Sequence, residues 1–150
     1  MQLIPEWAPN IHPLIIHFPI VLLLFAVFTD TISIWFQKDW LYKSTLMIYL
    51  FGSLGAVTAY ITGRIAADTV NPPFKAELTM SNHSDWALYT VIYFSVYAIL
   101  RLIFIKKLDA ANKILRLAVL AVAMAGLYLL IHTADLGGKL VFKYGVGQFK

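Results

Sequence analysis

Four apolar stretches, each long enough to cross the hydrocarbon of a bilayer, constrain this chain more than any other feature. A spanning helix takes roughly 20 residues, and the stretches run over Pro13–Phe36, Lys43–Ala66, Asp85–Ile105 and Lys113–Asp135. A lipid solvent also explains the composition. The 150 residues are 60% hydrophobic and 13% charged, whereas soluble domains are about a quarter charged. A globule this small has too little interior to hide such an excess. The expectation is an all-α, four-helix transmembrane bundle. It forms a single domain over 1–150, with antiparallel up-down topology and both termini on the same side.

Local signals punctuate the spans. Pro13 suits a first helical turn, where its missing N–H costs nothing. Ser81 and Asn82 are good caps for the third helix, with Asp85 near its positive end. Asn71-Pro72-Pro73 predicts a loop between the second and third spans, and Gly137-Gly138 a C-terminal stop for the fourth. Pro19 takes away the hydrogen bond to Ile15 and predicts a bend. No basic residue precedes the first apolar run, and that run is too long for the apolar part of a signal peptide, so it is expected to remain as a span.

The net charge of +4 comes from residues lying between apolar runs. That distribution argues for a topology signal and against nucleic-acid binding. One side would hold Lys38, Lys43, Arg101, Lys106, Lys107, Lys113 and Arg116 against Asp30, Asp39 and Asp109. The other balances Arg64, Lys75, Lys139, Lys143 and Lys150 against five carboxylates, among them Asp68 and Asp135. The basic excess places the first side in the cytoplasm, giving a multi-pass inner-membrane protein with periplasmic or extracellular termini. Trp35, Trp40 and Tyr42 would mark one interface, with Trp7, Trp86 and Tyr144 at the other.

Small residues recur at three- and four-residue intervals: Gly52, Gly55, Ala56, Ala59 and Gly63 in the second span, then Ala118, Ala121 and Ala125 in the fourth. They predict close helix packing, with a flat wall for a planar ligand as the sharper reading. With no cysteine, disulfides, thiolate metal sites and the c-type haem attachment motif are excluded. No nucleophile elbow, phosphate loop or zinc-protease motif occurs, so a redox carrier or subunit is expected over a stand-alone enzyme.

The histidines are His12, His17, His83 and His132, and helix direction brings all of them to the outer membrane face. Neutral imidazole is the metal ligand cheapest to bury at membrane depth. Two of them on separate helices can ligate haem iron axially. His17 and His132, both inside helices, are the first choice, with His83 and His12 as candidates for a second site or for support. Arg64 is placed to hold haem propionates. The structural alternative has His12 and His83 as interfacial side chains, His132 bonded to Asp135, and Arg64 paired with Asp68. Asp30 reads either as a proton-handling group or, preferably, as a carboxylate reaching the cytoplasmic interface.

The segments His12-Pro13-Leu14-Ile15-Ile16-His17-Phe18-Pro19-Ile20 and Leu136-Gly137-Gly138-Lys139-Leu140-Val141-Phe142-Lys143-Tyr144-Gly145-Val146-Gly147 resemble the opening and closing signatures of the bacterial domain-of-unknown-function family 2231. The resemblance implies a small four-helix membrane protein. His12, His17 and His83 match recurrent family positions. Relatives often carry His where this chain has Tyr144, and His near the glycine pair where it has Asp135. Some relatives are fused to c-type cytochrome modules, which implies a link to membrane electron transfer. The functional expectation is therefore a b-type haem electron-transfer protein within a larger respiratory assembly. Its partners would be membrane lipid and other redox subunits or a cytochrome. The alternative is a non-catalytic subunit, or a protein handling copper or zinc through His17, His132 and His83.

Overall fold

A computed structural model describes residues 10–109 and 112–147. Four long helices make up the fold: α1 (His12–Trp35), α2 (Asp39–Ala67), α3 (Phe74–Ile103) and α4 (Lys113–Lys143), each long and apolar enough to span a membrane. A one-turn helix, Ile105–Asp109, follows α3. Each long helix packs on the next and α4 returns against α1. The result is a closed square in which α1 and α3 lie across one diagonal.

The bundle is apolar outside as well as in. Leu14, Phe18, Val21, Phe25 and Phe28 form an exposed stripe along α1, which lipid would cover. Within, Leu23, Tyr49, Phe94 and Ala123 are fully buried. Hydrophobicity gives membrane helices no reason to prefer one another over lipid, so packing and interhelical hydrogen bonds must supply cohesion. The α2 glycines do this. A Cβ on Gly52 would lie 2.8 Å from Leu23 Cδ2, and one on Gly55 2.9 Å from Phe18 Cδ1. Ser53 Oγ adds a bond to the Phe94 carbonyl at 3.0 Å. On α4, by contrast, Ala118, Ala121 and Ala125 are exposed among the described residues.

Gly126 supplies the tightest contact. A Cβ there would meet Tyr93 Cε1 at 2.6 Å and Phe94 Cζ at 2.9 Å. Tyr93 cannot swing clear without losing its 2.6 Å bond to the Val122 carbonyl. Gly126→Ala is therefore expected to lower stability by about 1–3 kcal/mol. Gly138→Ala, with nothing within 4 Å of its Cβ, should gain up to about 1 kcal/mol of helix propensity. Thermal unfolding of both variants in detergent checks the contrast.

Three boundaries depart from the sequence expectation. α3 starts at Phe74, with Pro73 as its extended cap, well before the expected Ser81–Asp85. A helix needs hydrogen bonds and not apolarity, so it runs on beyond the hydrocarbon. α4 passes through Gly137-Gly138 into a π-helical turn over Lys139–Lys143. The stop comes instead at Gly145 and Gly147, whose φ angles of 67° and 75° favour glycine. In α1 the backbone stays helical through Ile16 (φ −60°, ψ −28°), so the helix runs on past the position where Pro19 removes a hydrogen bond.

Candidate functional site

At one end of the bundle two imidazoles converge from diagonal helices. His12 opens α1, its backbone N–H capped by Asn10 Oδ1 at 3.1 Å. Its ring lies over α2, where a Cβ on Gly63 would come within 2.9 Å of His12 Cε1. Thr62 Oγ1 stands 3.2 Å from His12 Nδ1. The same hydroxyl donates to the carbonyl of Thr58 or Ala59, each at 3.0 Å. With its proton committed there, it accepts from the ring. The tautomer with the proton on Nδ1 satisfies this contact and leaves a lone pair on Nε2, and the Ala59 carbonyl is a further acceptor for the same imidazole.

His83 repeats the arrangement on α3. Nδ1 lies 3.0 Å from the Thr133 carbonyl of α4, an acceptor only, so this nitrogen is the donor. A Cβ on Gly137 would come within 3.0 Å of His83 Cε1. Each ring therefore rests against a glycine on the neighbouring helix, which explains why Gly137 sits inside α4 and does not end it. The two imidazoles are electrostatic neighbours. Two rings within electrostatic reach of each other, each with a hydrogen-bond partner at Nδ1, meet one requirement of metal-ligating histidines, an outer hydrogen bond. Arg64 Nη1, one position beyond Gly63, reaches Ser84 Oγ at 3.4 Å, beside His83, so a guanidinium stands at the rim.

The other two histidines do not join them. His17 projects from the exposed face of α1. His132 packs edge-on against Trp86 of α3, centroids 4.3 Å apart, and stacks with Tyr128 at 6.1 Å. The expected facing of His17 and His132 across a gap is thus not what the structure brings together. Asp135 pairs with Lys139 and not with His132. No ion pair forms between Arg64 and Asp68 among the described residues. Tyr144 lies outside the spans. A hydrogen bond with Thr79 and the charge of Lys143 hold its phenol below the usual range. Trp7 lies outside the described residues.

The opposite half of the bundle holds a buried charge pair, where the sequence predicts groups that reach the interface. Arg101 is 2% exposed, and its Nη1 donates to Asp30 Oδ2. Tyr49 also donates to that oxygen, at 2.9 Å. The guanidinium carbon lies 4.7 Å from the Tyr42 ring centre and 5.2 Å from that of Tyr49. Tyr42, expected at the interface, is 4% exposed and faces inward. The signal was present in the sequence: Arg101 is followed by Leu102-Ile103-Phe104-Ile105 and so lies inside its apolar run. One acid and one base on separate spans are each other's natural partner.

A closed square of four spans, with polar side chains turned inward at both ends and apolar side chains turned outward, defines a polytopic integral membrane protein. The chain belongs to the DUF2231 family of predicted membrane proteins, whose family model matches residues 8–150. No curated protein and no solved structure matches it.

Proposed function

We propose that this protein carries electrons in the membrane and holds a b-type haem at the histidine end through His12 and His83. The observation that carries the reading is the convergence of two Nδ1-anchored imidazoles from diagonal helices. Donor number favours haem over a bare ion. Porphyrin already gives iron four nitrogens, so the protein need add only axial ligands. Zinc asks the protein for three or four, and among the described residues no group of three or more His, Cys, Asp or Glu side chains is placed to hold a metal. Gly63 and Gly137 keep the walls beside the rings free of side chains, and Arg64 is placed to face an anionic propionate. Bound haem supplies one-electron chemistry. The residues set its potential through ligation, burial and hydrogen bonding.

Absorption spectra of protein purified after haem-supplied expression, oxidised and then dithionite-reduced, test the reading. A Soret band that shifts on reduction is expected. Its absence defeats the proposal, and equimolar copper or zinc without haem would favour metal handling instead.

The same reading puts the histidine end at the periplasmic or extracellular face of the inner membrane, with the basic end in the cytoplasm and other redox subunits or a cytochrome as partners. Since the chain has no cysteine, single thiols report its orientation. Asn71→Cys should react with an impermeant maleimide on intact cells, and Lys107→Cys only after permeabilisation. The reverse pattern would invert the topology.

A further inference from the structure

At the end opposite the histidines, the exposed faces of α1 and α2 diverge into a cleft of about 520 Å³. Phe25, Phe28, Ile32 and Phe36 form one wall, and Leu41 and Ile48 form the other. Thr29 also lines it, but its hydroxyl is used within the helix on the Ala26 carbonyl, so the wall is effectively apolar. Lys38 and Trp40 line the mouth of the cleft at the helix end, and Ser44 lies about 9 Å further along α2, beyond Leu41. Only a short connection, Phe36–Lys38, joins the two helices there, which fixes the mouth at the helix ends.

The dimensions are those of one leaflet. From Phe25 to Phe36 the α1 wall rises about 16 Å at roughly 1.5 Å per residue, half of a hydrocarbon core about 30 Å thick. An occupant must therefore be an amphiphile with one apolar chain of leaflet length and a head at the level of Trp40. Charge decides the head. Lys38 takes part in neither of the ion pairs formed among the described residues, Asp30–Arg101 and Asp135–Lys139. Lys43, Lys106, Lys107 and Lys113 lie toward the same end and outweigh Asp39, which follows Lys38 in the first turn of α2. Juxtamembrane cations of this kind attract anionic headgroups.

We infer that this cleft is a binding site for an anionic phospholipid, one acyl chain lying between the phenylalanines of α1 and Ile48 of α2, its phosphate held by Lys38 at the level of Trp40. The site is separate from the imidazole pair and stands or falls without it. Native mass spectrometry of the full chain, extracted in mild detergent and then titrated with dioleoyl-phosphatidylglycerol or dioleoyl-phosphatidylcholine, tests the assignment. The wild type is expected to retain one phosphatidylglycerol per chain and to prefer it about fivefold over phosphatidylcholine. Ile32→Trp, which fills the cleft, should retain none. Lys38→Gln, at an exposed position that leaves the bundle intact, should keep a lipid and lose the preference. Retention of neither lipid, equal retention of both, a Lys38→Gln protein with its preference unchanged, or an isoprenoid quinone or second copy in place of the lipid would each overturn the inference.

Discussion

Asp30→Leu is expected to destabilise the protein by about 3–5 kcal/mol, and adding Arg101→Met to recover most of that loss. The asymmetry follows from what each substitution strands. In the wild type the side chains of Arg101 and Asp30 are 2% and 5% exposed, and desolvating both is costly. Asp30 Oδ2 meets that cost by accepting from Arg101 and from Tyr49. The rings of Tyr42, Tyr49 and Tyr97 add cation–π attraction, with centroids 4.7, 5.2 and 5.7 Å from the guanidinium carbon. Arg101 Nε and Nη2 have no hydrogen-bond partner among the described residues, so the cation depends on this one carboxylate more than a fully bonded arginine would. Removing Asp30 leaves an uncompensated cation in the core. Removing both charges strands no ion and leaves only the Tyr49 hydroxyl without its acceptor, so most of the loss is recovered but not all. Thermal unfolding in detergent, run as a double-mutant cycle, reads the result. If the two single losses simply add in the double variant, Asp30 and Arg101 are not energetically coupled.

The spans were legible because hydrocarbon thickness imposes a length that composition reveals directly. Helix ends were less so, because helices continue wherever hydrogen bonds do. Phe74–Met80 carries Lys75 and Glu77 and falls outside any apolar window, yet it belongs to α3. The glycine pair signals a stop only where nothing presses on it. Gly137, with the His83 ring against it, serves close approach. Depth was also easier to read than direction. Helix polarity brings all the histidines toward one end, but a five-residue step turns a side chain by about 140° around the axis. With His12 turned inward, His17 is thereby turned away. The same step separates Gly137, beside the His83 ring, from His132. Lying inside a helix therefore says nothing about which way an imidazole faces. Arg101 and Asp30 escaped for a related reason, since counting charges by side treats each as solvated, whereas a lone acid and a lone base within apolar runs are cheaper buried together.

The same rotation sets apart the outcomes of four alanine variants. His12→Ala and His83→Ala are each expected to abolish the Soret band of haem-loaded protein, while His17→Ala and His132→Ala keep it. His17 stands on the exposed face, and His132 is engaged by Trp86 and Tyr128, so neither turns toward the His12–His83 pair. The hydrogen bonds behind the rings supply a finer test. Thr62 Oγ1 lies 3.2 Å from Nδ1 of His12, and in the Nδ1–H tautomer it is an acceptor for that proton. Thr62→Val keeps the shape and removes that acceptor. Loss of such an outer partner typically weakens ligand binding about 10–100-fold, so haem titration of the Thr62→Val apoprotein should show weakening of that order with far-ultraviolet circular dichroism unchanged. His83, bonded to a backbone carbonyl that no side-chain change deletes, should be insensitive to Thr133→Val by comparison. A Soret band lost in His17→Ala or His132→Ala but retained in His12→Ala would move the ligands to the pair that the rotation argument rejects.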